Sequence, residues 1–297
     1  MMATHPTPSQ PHPWDEAAQG WNRHTEAIHA WLQDATTEML DSAGIASGAR
    51  VLDVAAGAGD QTLDIAHRVG ATGEVLATDI SGAILALAHD KLHAAGFSQV
   101  RTQVADAQAL GLAGAHFDAA VCRLGLMFCT SPLVALQEIR QALRPQGRFS
   151  ALVFSSPQAN PCIAILAQTA QRHAGLPAGD AFAAGSLMSL GKPGLLALLL
   201  KEAGFTEIDV RPVSAPFRLP TGKDYLEFVR TSASPIIEML KPLSTSARAA
   251  AWEDMAHQLE SFSTATGWEG PNELLLCSAA VPVHQRTATQ PAPTSLI

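Results

Sequence analysis

A doubly wound α/β fold with a mostly parallel sheet is expected from three features of the sequence. Short β-rich runs alternate with helical ones five times, a turn of small residues follows the first strand run, and acidic residues close the second and third. Parallel neighbours cannot be joined by hairpins, so each strand must be followed by a crossover, which the helical runs supply.

From Asn22 to Ala43 the apolar positions Ile28, Trp31, Leu32, Ala35 and Met39 recur at helical spacing, and Gly44 suits the C-terminal end. Arg50 to Val54 reads as a strand and ends in Ala55-Ala56-Gly57-Ala58-Gly59; Asp60 to Val69 is then helical and is closed by Gly70. Glu74 to Thr78 is a second strand, Ser81 caps a helix reaching Ala95, and Val100 to Ala105 is a third strand. Phe117 to Cys122 is a buried-strand run, Ser131-Pro132 opens a helix to Leu143, and Gly147 to Phe154 is the fifth strand. Beyond it lie helical stretches Ile163 to Arg172 and Pro193 to Ala203, a strand Phe205 to Val213, helical stretches Lys223 to Leu240 and Thr245 to Phe262, and a last strand Glu273 to Val281. The helical stretches are read as a lid over the open edge of the sheet. The chain is therefore divided into a disordered arm (1–13), one domain (14–283, with a ligand-binding core over 48–154 and lid and closing strands over 155–283) and a disordered tail (284–297), both ends being rich in Pro, Thr and Gln.

Composition narrows the function. Apolar residues make up 47% and charged residues 15% of 297 residues, which fits a globular protein, and the net charge of −8 gives no footprint for nucleic-acid backbone. The longest charge-free stretch, Phe149 to Gln171, is broken by polar residues and prolines, so no membrane span is expected. The N-terminus lacks a basic start and an apolar run, so a cytoplasmic location is expected. Cys122, Cys129, Cys162 and Cys277 match no metal or disulfide spacing; they are read as reduced core thiols, with no metal site.

The chemistry concentrates where the strands end. Gly57 and Gly59 let the backbone turn sharply and let a ligand lie against it, while the following helix offers free N–H groups. Asp79, 20 residues beyond Gly59, can accept from both hydroxyls of a ribose; Asp106, followed by Ala107, can accept from an adenine amine. Asp53 could face a ligand ammonium directly or through water. A dinucleotide fingerprint would put its third glycine at residue 62, which is Thr62, so a nicotinamide-dependent (NAD) oxidoreductase is the rival reading. A non-catalytic cofactor-binding protein is a second. Arg123, at the end of a buried strand, needs a partner: a ligand carboxylate, an acidic lid or substrate group, or Asp106.

Val51-Leu52-Asp53-Val54-Ala55-Ala56-Gly57-Ala58-Gly59-Asp60, Ala77-Thr78-Asp79-Ile80-Ser81 and Val104-Ala105-Asp106-Ala107 resemble the three motifs of the class I S-adenosylmethionine-dependent methyltransferases. Phe117-Asp118-Ala119-Ala120-Val121 and Leu143-Arg144-Pro145-Gln146-Gly147-Arg148 resemble the family's fourth-strand and pre-fifth-strand signatures. Within the family the chain is similar to the ubiquinone and menaquinone C-methyltransferase group and its small-molecule relatives. The resemblance implies a Rossmann-like, seven-stranded sheet with its last strand antiparallel, and S-adenosylmethionine as cofactor. It implies the methionine part over Gly57 and Gly59 and near Asp53 and Arg123, ribose on Asp79, and adenine near Ile80, Ser81, Asp106 and Ala107. Gln61 and Thr62 would sit beside the methionine carboxylate, and Trp21 on the helix closing over the cofactor. Ala55 stands where the family has its first glycine. Where quinone methylases tend to carry Phe-Gly-Leu-Arg-Asn, this chain has Leu124-Gly125-Leu126-Met127-Phe128, which argues against a quinone.

Methyl transfer asks chiefly for positioning, with a general base only for a hydroxyl or carbon acceptor. His24, three residues from Trp21 and four from Ile28, is the first candidate base; His173 and Tyr225 follow, and His116 is read as an exposed turn residue. Met127, Phe128 and Tyr225 are the candidate acceptor-pocket residues. The expected partner is a small, fairly apolar metabolite, aromatic ones included, methylated by direct displacement, with a homodimer left open.

Overall fold

The computed structural model describes residues 14–15, 20, 22–114, 116–232 and 234–283. The expected arm and tail, and Trp21, lie outside the described residues.

Helix α1 (Thr25–Ser42) precedes β1 (Arg50–Val54), α2 (Asp60–Val69), β2 (Glu74–Asp79), α3 (Gly82–Ala94), β3 (Val100–Val104), β4 (Phe117–Arg123), α4 (Pro132–Ala142) and β5 (Leu143–Phe154). The strands order as β3-β2-β1-β4-β5, then β10 (Glu273–Ala280) and β6 (Thr206–Ser214). Neighbours among the first five are parallel, whereas β10 runs antiparallel to both β5 and β6. The order reverses between β1 and β4, which opens a crevice beyond their carboxyl ends. Val51, Leu52 and Val54 of β1 and Ala120, Val121 and Cys122 of β4 are essentially inaccessible, as expected of central strands covered on both faces. All four cysteines are buried and none is in a disulfide.

The region after Phe154 is more varied than one lid. Helix α5 (Pro161–His173) packs with α7 (Gly222–Ser232), α8 (Ser234–Leu240) and α9 (Thr245–Leu259) around a second core containing Leu166, Tyr225, Met255 and Trp268. Helix α6 (Leu195–Glu202) does not belong to the lid: it packs on β6 and α4, covering the sheet. A small antiparallel sheet, β7 (Phe217–Leu219), β9 (Gly267–Gly270) and β8 (Ser263–Thr264), floors the second core. There Trp268 donates its indole N–H to the Leu259 carbonyl at 2.7 Å and stacks on Tyr225, 4.8 Å between centroids.

Trp31 of α1 joins the two cores. Its ring lies 4.7 Å from that of Phe217 and 6.1 Å from that of Phe154, and its N–H donates to the Ala215 carbonyl at 2.7 Å. Helix α1 is thereby held along the mouth of the crevice. Among the described residues no helix is long and apolar enough to cross a membrane.

Candidate functional site

The turn after β1 is shaped by three consecutive demands. Ala55 (φ +55°), Gly57 (φ +57°) and Gly59 (φ +81°) all adopt left-handed backbone. A Cβ on Gly59 would come within 2.9 Å of the Ala88 methyl on α3, so glycine lets the two helices close up; one on Gly57 would meet nothing within 4 Å, because that side opens on the crevice. Ala55 is the departure, a side chain where left-handed backbone disfavours one. Its methyl is accommodated because Gly125, opposite it after β4, has none; a Cβ on Gly125 would collide with that of Ala55.

Asp79, at the end of β2, holds the turn. Its Oδ2 accepts from the Gly57 N–H and its Oδ1 from the Ser81 N–H, each at 3.0 Å, while Ser81 Oγ accepts from Ile84 N–H at 3.1 Å as the cap of α3. Asp106, just beyond β3, accepts from the Gln108 N–H at 2.9 Å. Both carboxylates border a cleft of about 300 Å³ that also takes in Ala55, Gly57, Gln61, Ile80, Ala107, Arg123 and Phe128. A carboxylate oxygen has a second lone pair, so these backbone bonds orient the acids without exhausting them.

Behind the turn lies a charged layer. Asp53 is fully buried; Gln61 Nε2 donates to its Oδ1 and Thr62 Oγ1 to its Oδ2, the latter at 2.7 Å. Burial pushes the Asp53 carboxyl up to about 6, against the downward pull of those bonds and of Arg123. Arg123 donates to Asp60 Oδ2 at 2.8 Å and to Thr36 Oγ1 at 2.9 Å, and His29 Nδ1 lies 3.4 Å from Asp60 Oδ1. The carboxylate sits in the first turn of α2, where the helix dipole favours it. The partner of Arg123 is therefore Asp60, not Asp106 or a lid acid.

Several expected residues fall elsewhere. Asp53, Gly59, Thr62 and Ser81 do not border the cleft; they support those that do. His24 is turned away from it: Nε2 bonds to Thr231 Oγ1 at 2.8 Å, the ring packs edge-on to Phe228, and burial lowers its pKa. The helix does border the cleft as expected, through Thr25, Ile28 and Leu32, but His24 is its N-cap residue (φ −100°, ψ 17°), outside the helical backbone that would have aligned it with Ile28. Met127 is buried beneath its own 3₁₀ turn, with Ser189 Oγ donating to its carbonyl at 2.6 Å. Tyr225 belongs to the second core, His173 binds Asp254 at 2.9 Å and does not border the cleft, and His116 is exposed. The sequence reading missed Trp14, whose ring meets Phe128 edge-on with 4.8 Å between centroids, and also Leu124, Cys129 and Thr130. Trp14 is the first apolar ring after a proline-rich run, a signal that it is anchored.

Sheet order, glycine turn and strand-end acids together define a Rossmann-like fold of the methyltransferase type. YcgJ of Bacillus subtilis superposes with a TM-score of 0.57 at 17% identity, over 84% of this chain and 99% of that one. The [4+2]-cyclase SpnF does so with 0.56 at 18%, over 93% and 98%. The model of the ubiE/COQ5 methyltransferase family matches residues 26–184, more than half of the 297, and the chain belongs to that family. The ubiquinone/menaquinone biosynthesis C-methyltransferase UbiE of Pseudomonas aeruginosa is 38% identical over 122 residues, 41% of this chain and 48% of the relative. The chain thus spans about half the length of the curated relatives it matches.

Proposed function

We propose that the protein transfers a methyl group from S-adenosylmethionine to a small, fairly apolar acceptor by direct displacement. The observation that carries this is the placing of Asp79 and Asp106 at adjacent strand ends on one cleft, facing a glycine turn at a helix N-terminus, in a chain of this family. The fold alone would not do so, since its neighbours include a protein named as a cyclase.

The residues fit the cofactor's chemistry. Asp79 supplies acceptors for a ribose diol, Asp106 one for an exocyclic amine, and Ile80 and Ala107 apolar faces for a ring between them. Gly57 leaves open the space a side chain would fill. When bound, S-adenosylmethionine supplies a methyl group already electrophilic through its sulfonium. The protein's share is to hold the acceptor in line and exclude water. Trp14, Ile28, Leu32, Leu124 and Phe128 give the cleft an apolar wall that suits an aromatic ring, while Asp60 and Arg123 neutralise each other at its edge.

The test is transfer of label from methyl-labelled S-adenosylmethionine into a panel of phenols, quinols and small aromatic amines. Label in any panel member, with release of S-adenosylhomocysteine, is the expected outcome. Binding of the cofactor with no transfer to any panel member or to a metabolite extract would contradict the proposed activity.

A further inference from the structure

Gln61 is a polar residue on the cleft whose amide polarity is set by a fully buried carboxylate. It lines the cleft, is itself 1% exposed, and follows the glycine turn by two residues. Its Nε2 is the atom on Asp53 Oδ1. An ionised carboxylate can only accept, so it selects the amide's donor and leaves Oε1, an acceptor, as the polar atom the side chain can offer to the cleft. Thr62 takes the other carboxylate oxygen at 2.7 Å, which stops Asp53 from rotating away. The neighbouring charges do not reverse this polarity: Arg123 is engaged by Asp60 and Thr36, and Asp79 by two backbone N–H groups.

We propose that Gln61 is the residue that recognises the ligand's ammonium group, with Asp53 as the positioning residue that turns its carbonyl oxygen to the cleft. This rests on the sulfur-nucleotide reading above and goes beyond it, because it assigns the cationic end of the ligand to a neutral side chain and leaves the buried carboxylate out of contact. A carboxylate facing the ligand directly would trap any small cation. An amide oxygen backed by a carboxylate keeps a negative potential at the site and adds direction. The opposite orientation, with Nε2 towards the ligand, would instead recognise the ligand's carboxylate.

Three compounds separate these roles: S-adenosylhomocysteine, its decarboxylated analogue, which keeps the amine, and 5′-methylthioadenosine, which has neither group. Calorimetric titration at pH 7.5 would compare the whole protein with Gln61→Met and Asp53→Asn. An Asn at 53 can turn either its oxygen or its N–H to Gln61, and so no longer fixes the direction of the amide. Both variants are expected to bind the two amine-bearing compounds about 10- to 100-fold more weakly, the scale of a hydrogen bond to a charged group, and 5′-methylthioadenosine as the parent does. If Asp53→Asn fails to fold, Gln61→Met alone decides the ammonium assignment. Equal weakening towards all three compounds, or weakening towards S-adenosylhomocysteine but not its decarboxylated analogue, overturns this inference alone. Parent protein that binds none of the three overturns the proposed function and this assignment with it.

Discussion

Ala55 and Gly125 form a matched pair, and exchanging their sizes should show it. Ala55→Gly removes a side chain from left-handed backbone and should stabilise the protein by about 1 kcal/mol in urea denaturation. Gly125→Ala drives a methyl into that of Ala55 and should cost about 2 kcal/mol, much of it recovered in the double variant. Strict additivity would mean that the two positions do not sense each other. Asp79 should show both a structural and a binding role: Asp79→Ala releases the Gly57 N–H and is expected to lose about 2 to 3 kcal/mol of S-adenosylmethionine affinity by calorimetry. Unchanged affinity in a folded variant would remove Asp79 from the ribose site. Asp53 links stability to pH. Its carboxyl ionises near 3.8 when unfolded and near 6 when folded, so folding favours the protonated form. The stability it lends is full below about pH 3.8, falls as pH rises, and is gone above about 6, a change of about 3 kcal/mol. Asp53→Asn has no such titration, so the stability of the parent relative to the variant should decline between pH 4 and 6; a pH-independent difference would contradict this environment.

At the scale of elements, the elements that make one side of the cleft were legible because each obeys a local rule. Asp60–Val69 has helical periodicity between two left-handed glycines, and Arg50–Val54 is a short β-rich run cut off by a small-residue turn. Helix α1 was legible as an element, and its Ile28 lines the cleft as expected, but His24 does not, because it caps the helix and its ring is taken by Thr231 and Phe228 from a distant segment. The short strands β7, β8 and β9 carried no signal, being two to four residues long and held by Trp268 and Phe217 from distant parts of the chain. The second core likewise depends on long-range packing, which is why Tyr225 looked available for a pocket. Arg123 ties β4, α1 and α2 together through Thr36 and Asp60. Arg123→Met should leave the Asp60 carboxylate partly buried with only His29 beside it, at a cost of about 3 kcal/mol, partly relieved by adding Asp60→Asn. Equal stability of the single and double variants would mean that the pair does not hold α1.

In the whole molecule, two cores meet at Trp31, and the cleft lies where α1 crosses the reversal of strand order. The side of that cleft lined by acids and glycines could be read from the sequence because such residues at strand ends are local features of a βα unit. The apolar side could not, because Trp14, Leu32 and Leu124 reach it from three separated segments. The cleft is expected to take a sulfur nucleotide rather than a nicotinamide dinucleotide. The most direct measurement is the thermal shift of the protein with S-adenosylmethionine, S-adenosylhomocysteine and NAD(H), because a ligand at 100 times its Kd adds about 2.7 kcal/mol of stability. A rise in Tm with the two sulfur nucleotides and none with NAD(H) is the expected result; a rise with NAD(H) alone would contradict a sulfur-nucleotide site.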